Sequence, residues 1–192
     1  MPDEMLRRLV ECASYAPSGR NLQRGRWIVV RDRTLRRRIA DLHRRASENM
    51  ARTRVAHPTD LPHHDADRQR RMWNAVLWQS EHLHEVPVLM VACGILDDPD
   101  QDPNRYASTI WPGVQNLLLA ARAMGLGATP TTFVMQHRAE FKALLELPPR
   151  VATYALIPVG FPVGKFGPLS RLPVEQLLHL DWWTGPVTEY AE

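Results

Sequence analysis

The chain has only two cysteines, Cys12 and Cys93, among its 192 residues. They form no Cys-x-x-Cys pair and no Cys/His quartet, which excludes a disulfide framework and a structural zinc site of ordinary spacing. Cys12 falls in a helical pattern and Cys93 in an apolar strand-like run, so both read as small buried hydrophobes. Lysine is nearly missing: only Lys142 and Lys165 occur, and arginine supplies the remaining basic charge. Long apolar runs are missing too. The longest, "VPVLMVACGIL", is far short of a bilayer span, and the opening "MPDEMLRRLVECA" has no apolar signal core. A soluble cytoplasmic protein with no membrane partner is the expectation. Net charge is also small: 24 basic against 21 acidic residues leave +3, which argues against nucleic acid as the partner.

What is there suits one domain, since 192 residues at 44% hydrophobic content bury a real core. Met5, Leu6, Leu9, Val10 and Ala13 recur at helical spacing over residues 3–15, and Pro17-Ser18-Gly19 stops that helix. Trp27 to Arg31 reads as a strand. "TLRRRIADLHRRA" then places Leu35, Ile39 and Leu42 on one helical face, with its arginines on the solvated others. Residues 47–71 are polar and His-rich and predict a long loop or lid between helices. His57, His63, His64 and Asp65 lie on it without fixed spacing, so no metal site is expected.

Pro87 to Gly94 predicts a second strand. "STIWPGVQNLLLAARAMGLG" predicts a helix apolar nearly all round, which must be buried in the domain or across a subunit interface. Gly125 and Gly127 stop it. A short β-branched segment, Thr129 to Phe133, follows, then a helix "AEFKALLEL" and a strand "ATYALIPVGFP". Strands and helices in non-repeating order indicate an α+β or mixed α/β fold.

Three segments carry ligand-binding chemistry. The loop Pro17-Ser18-Gly19-Arg20-Asn21 offers backbone N–H groups, a hydroxyl and an amide on a turn. Thr129 to Thr132 follows the buried helix, where desolvation strengthens hydrogen bonds from its hydroxyls and N–H groups. Lys165 and Arg171 sit on a Gly/Pro-rich loop before a helix, a candidate anion grip. Taken singly, each is better explained as an ordinary turn, strand or loop. No Ser-His-Asp order, carboxylate pair or Gly-rich phosphate loop competes with them.

The ordered set "APSGRNLQRGRWIVVRD", "HEVPVLMVACG", "STIWPGVQNLLLAARAMGLGATPTTF", "LLELPPRVATYALIPVGFP" and "RLPVEQLL" resembles the FMN-dependent nitroreductase-like family from about Pro2 to His179. The resemblance implies an α+β three-layer fold, with a central mixed, mainly antiparallel sheet flanked by helices. It implies a homodimer with FMN in two interface clefts, and one domain over residues 1–192 whose tail, 180–192, wraps the partner subunit. It also implies NAD(P)H as co-substrate and a small-molecule electron acceptor, a nitroaromatic or quinone, reduced in ping-pong order. Pro17, Ser18, Gly19 and Asn21, with Gln23 beside them, would then lie against the flavin. Thr131 and Thr132 would tune its N5 edge, and Arg171 would hold its phosphate. The flavin would do the chemistry, with no protein acid or base strictly required.

Two departures from the family pattern stand out. The family's Arg-rich "RRSxRxF" opening has no counterpart, so either the true start lies upstream or part of the phosphate grip is lacking. The family's "QPW" reads Gln23-Arg24-Gly25-Arg26-Trp27, and Arg20, Arg24 and Arg26 are candidate substitutes for the missing charge. A non-catalytic flavin- or effector-binding member of the same fold is the alternative reading.

Overall fold

Seven consecutive residues of the strand Val88–Ile95 are buried, and their side chains alternate between two apolar clusters. Val88, Met90 and Ala92 face one cluster; Leu89, Val91 and Cys93 face the other. A strand buried on both faces requires cover on both, and the chain supplies it as three layers. The computed structural model describes residues 1–59, 65–183 and 185. Its elements are α1 (Asp3–Ser14), β1 (Gly25–Val30), α2 (Arg33–Ala56), α3 (Ala66–His82), β2 (Val88–Ile95), α4 (Ala107–Ala123), β3 (Gly127–Ala128), α5 (Arg138–Leu144) and β4 (Val151–Gly160).

The sheet runs β1-β2-β4-β3, and all its pairings are antiparallel. This is the α+β class expected, with no parallel pairing among the described residues. Gly25 stands opposite Gly94, and Gly94 opposite Ala152, while Gly127 stands opposite Gly160. The open ends of β1 and β3 therefore lie at opposite corners of the sheet. Leu6, Leu9 and Ala13 of α1 and Ile110, Val114, Leu117 and Ala121 of α4 cover one face. Ile39 and Leu42 of α2 and Phe141 of α5 cover the other, with α3 packed outside α2. Asp32 caps α2 by accepting from the Leu35 N–H at 2.7 Å, and Asp65 caps α3 by accepting from the Arg68 N–H at 2.7 Å.

Three local expectations are corrected. Residues 47–71 are not one long loop: α2 runs on to Ala56 and α3 starts at Ala66. The buried stripe of α2 continues through His43, Ser47 and Ala51, small or polar residues that keep the helical period without hydrophobic bulk. Thr129 to Phe133, by contrast, is the broken β-branched segment that its Pro130 implies. Only Thr131 bridges Leu156, and a 3₁₀ turn follows over Phe133–His137. After Arg171 there is a single 3₁₀ turn, Val174–Gln176, entered from Pro173, rather than a helix. α4 buries one face only, and its outer side leaves Leu119 59% and Trp111 37% exposed.

Candidate functional site

The first candidate segment is a tight, strained loop. α1 ends at Ser14, and Pro17 and Ser18 lead into the 3₁₀ turn Gly19–Asn21. Arg20, Asn21 and Gln23 all adopt left-handed backbone conformations, with φ of 53°, 54° and 48°. Such conformations cost non-glycine residues about 1 kcal/mol or more each and cluster where loops serve ligands. Ser18 Oγ accepts from the Gln23 N–H at 3.0 Å, and Asn21 Oδ1 accepts from Gln23 Nε2 at 3.3 Å. Both side chains thus brace the loop as acceptors, which leaves the Ser18 hydroxyl proton and the Asn21 amide N–H groups as its outward donors. Pro17, Gly19 and Asn21 are exposed and Ser18 is half-buried. Beside them, a cavity of about 370 Å³ opens between α1 and α4, lined by Ser18, Gln23, Arg26, Trp27 and Thr109. Gly113 lets the helices close beneath it: a Cβ there would stand 3.1 Å from the Ala13 carbonyl oxygen.

The second segment lies at the other end of the sheet. Thr131 exchanges backbone bonds with Leu156, N–H to O at 2.8 Å and O to N–H at 2.9 Å. Its side chain turns inward, with Oγ1 3.0 Å from His43 Nε2. Thr131 is 8% exposed while Thr132 is exposed, so Thr132 offers its hydroxyl the more freely. Thr129 lines a larger, mostly apolar cavity of about 510 Å³ with Trp78, Pro87, Phe161 and Phe166; neither Thr131 nor Thr132 lines it. Arg171 is exposed and donates to the Ser170 carbonyl at 2.7 Å, leaving the rest of its guanidinium for other partners. Lys165 is likewise exposed.

Within one protomer these groups do not meet. From the Gly25 corner to Thr131 the sheet steps three strand spacings across and four residues along, roughly 20 Å. Of the three candidate replacement arginines, Arg24 is already engaged. It donates to the Ile95 carbonyl at 3.0 Å, pairs with Asp97, and lies over the Tyr106 ring. The Tyr106 hydroxyl and Arg24 together hold the Asp97 carboxyl below its usual range. Arg26 donates to the carbonyls of Gln23 and Gly25, bracing the same loop. Arg20 is exposed in the strained turn.

Several arginines of the basic helical runs are met by carboxylates and carbonyls. Arg44 lies near Asp41 and Glu48, Arg52 pairs with Glu48, and Arg45 with Glu140. Arg36 donates to the carbonyls of His84 and Val86. Among the described residues no group of three or more His, Cys, Asp or Glu converges as a metal site. His63 and His64 lie outside the described residues. No helix among those described is long and apolar enough to cross a membrane.

Sequence reasoning missed His43. It lies fully buried between α2, α3 and Thr131, and desolvation pushes its pKa down to about 4. The signal was present: Ile39, His43, Ser47 and Ala51 repeat every four residues on one helical face.

A two-sided antiparallel sheet between helical layers, with one candidate segment beside each of its outer edges, defines an α+β protein. The chain belongs to the nitroreductase family, whose profile matches residues 1–161. It is similar to the NADH dehydrogenase of Thermus thermophilus, 27% identical over 199 residues, which cover 93% of this chain and 85% of that protein. It is also similar to the iodotyrosine deiodinase of Thermotoga neapolitana, 28% identical over 153 residues, covering 80% and 74% of the two chains. Among solved structures, B. megaterium NfrA2 aligns with a TM-score of 0.69 at 18% identity, over 96% of this chain and 68% of that one. An oxidised iodotyrosine deiodinase bound to FMN and 3-iodo-L-tyrosine aligns with a TM-score of 0.63 at 24% identity, over 90% and 89%.

Proposed function

We propose that this chain is a cytoplasmic FMN-dependent oxidoreductase that works as a homodimer. The observation carrying the reading is the separation of its two hydrogen-bonding segments at opposite edges of the sheet, with Thr131 opposite Leu156 in the middle of β4. One protomer does not bring both against one ring, but the loop of one copy and the Thr131–Thr132 segment of another would flank a flavin between subunits. The exposed Leu119 and Trp111 on the outer side of α4 support that interface. So do Leu180, Trp182 and Trp183, exposed on the described part of the tail that would wrap the partner.

The donor set fits the group. Pro17 and Gly19 flank the donors of the loop, and the Ser18 hydroxyl and Asn21 amide would donate to a polar heterocycle. Thr131 and Thr132 would face the ring edge, and Arg171 would meet the phosphate with a charge-assisted bond. Bound FMN would supply hydride transfer from NAD(P)H to a nitroaromatic, quinone or related acceptor in ping-pong order. The protein's own part is to bind, orient and shield. The apolar walls near Thr129, with Trp78 and Phe161, would favour flat apolar acceptors.

The test is direct. The purified protein should be yellow or take up added FMN, and NAD(P)H should bleach it under anaerobic conditions. Nitroaromatics, quinones and 3-iodotyrosine, presented in turn, should identify the acceptor class by reoxidation. Colourless protein that takes up no FMN would overturn the reading. FMN binding with no bleaching by either nicotinamide would favour the non-catalytic alternative.

A further inference from the structure

Behind the Thr131–Thr132 segment lies a buried polar chain to which flavin binding assigns no part. His43 and Ser47 are fully buried, and Ser80 nearly so. His43 Nε2 stands 3.0 Å from Thr131 Oγ1, and its Nδ1 stands 3.4 Å from Ser80 Oγ and 3.5 Å from Ser47 Oγ. Ser47 Oγ donates to the His43 carbonyl at 2.9 Å and lies 2.7 Å from Ser80 Oγ.

Proton bookkeeping orients the whole chain. A carbonyl only accepts, so the single Ser47 proton is committed to the His43 backbone. Ser80 must then donate to Ser47, which leaves the Ser80 oxygen to accept from His43 Nδ1–H. The network thereby assigns the tautomer: Nε2 is bare, and the Thr131 hydroxyl donates to it. Burial keeps the imidazole neutral, with its pKa near 4, so this arrangement holds at neutral pH. The Phe133 ring meets the imidazole edge-on at 5.6 Å and closes the pocket from the far side.

We propose that His43 is a positioning residue: held by Ser47 and Ser80, it fixes the Thr131 hydroxyl and the turn carrying Thr132, so that Thr131 offers a ligand only a lone pair. This rests on the reading that a flavin lies against the segment. An acceptor-only oxygen suits a ring N–H and offers no hydrogen to a bare ring nitrogen. His43 would therefore bias the site towards reduced over oxidised flavin.

Two substitutions separate the halves of the chain. His43→Asn puts its amide where Nδ1 stood, keeping the serine contacts and losing Thr131. His43→Gln reaches the Nε2 position and keeps an acceptor for Thr131. In the purified full chain, hydrogen–deuterium exchange over residues 131–135 should run about tenfold faster in His43→Asn and in Thr131→Val. It should stay at the wild-type rate in His43→Gln. With FMN bound, the ratio of dissociation constants for oxidised and reduced flavin, read from the midpoint potential, should move about fivefold in the Asn and Val variants. His43→Gln should restore it. Thr131→Val leaves the imidazole in place, so it decides the matter even where a His43 variant fails to fold. Equal exchange in the Asn and Gln variants, or an unmoved ratio in Asn and Val, overturns the proposal. A wild-type protein that binds no FMN overturns the flavin reading alone, and the exchange pattern still decides the positioning role.

Discussion

Lowering the pH from 7 to 4 protonates His43 in the unfolded chain before it does so in the folded one. The imidazole titrates near 6.5 when exposed but near 4 in its buried site, because desolvation disfavours the cation. The folded value is the depressed one, so the stabilising contribution is fully present above pH 6.5. It is lost as pH falls towards 4 and flattens below that. The interval corresponds to about 3 kcal/mol. That is a large share of an ordinary domain's stability, typically about 5–15 kcal/mol. Urea unfolding at pH 7 and pH 4, at one fixed protein concentration, would measure it in wild type and in His43→Gln. Carboxylate titration is common to both proteins, so the difference between them isolates His43. Wild type should be the more stable at pH 7 and should lose about 3 kcal/mol more than the variant on acidification. A stability difference that is the same at both pH values would refute the assignment of a neutral buried imidazole.

Arg171→Ala should weaken FMN binding roughly ten- to a hundredfold, the worth of one charge-assisted phosphate bond, as fluorescence titration would read. Unchanged affinity would remove Arg171 from the site. Gly113→Ala pushes a methyl within 3.1 Å of the Ala13 oxygen and 3.2 Å of the Trp27 ring, so a thermal melt should show a loss of about 1–2 kcal/mol. An unchanged melting temperature would mean that α1 and α4 give way more easily than their packing indicates. Burial pushes the Cys93 thiol up to about 12, so a thiol reagent should reach it only after denaturation. Fast labelling of Cys93 in the native protein would contradict its place in the central strand.

The parts of the fold legible in the sequence are those where period and bulk coincide. β2 shows an unbroken apolar run because both its faces are covered, and α1 and α4 repeat large hydrophobes at helical spacing. The α2–α3 pair was obscured because its shared seam is lined with His43, Ser47, Ala51 and Ser80, which resemble a solvated loop in composition. Hydrogen bonding replaces hydrophobic bulk there, and apolar patterning does not register it. The site shows the same division. The loop around Ser18 declared itself by its turn residues, and the Thr pair by its place after a buried helix. The inward rotation of Thr131 depends on His43, 88 positions away in sequence, which no local pattern encodes. Arg24 likewise read as spare charge until the fold brought Asp97 and the Ile95 carbonyl to it.

On the proposed reading, the placement of the two segments at opposite edges of the sheet would make cofactor binding and assembly one equilibrium. If the loop of one copy and the Thr segment of another must both touch the flavin, FMN binds the dimer and not the free protomer. Mass action then requires that FMN strengthen dimerisation by the factor by which dimerisation strengthens FMN binding. The apparent FMN affinity should fall on dilution through the dimer's dissociation range. Leu119→Arg, which places a charge on the outer side of α4 where Leu119 is 59% exposed, should shift light scattering towards the monomer. It should weaken FMN binding in parallel, although Leu119 belongs to neither hydrogen-bonding segment. FMN titrations at two protein concentrations about a hundredfold apart, spanning that range, would test the linkage. Affinity independent of concentration while the dimer comes apart would mean that one protomer holds the whole site. The roughly 20 Å separation across the sheet would then have to be bridged within a single chain.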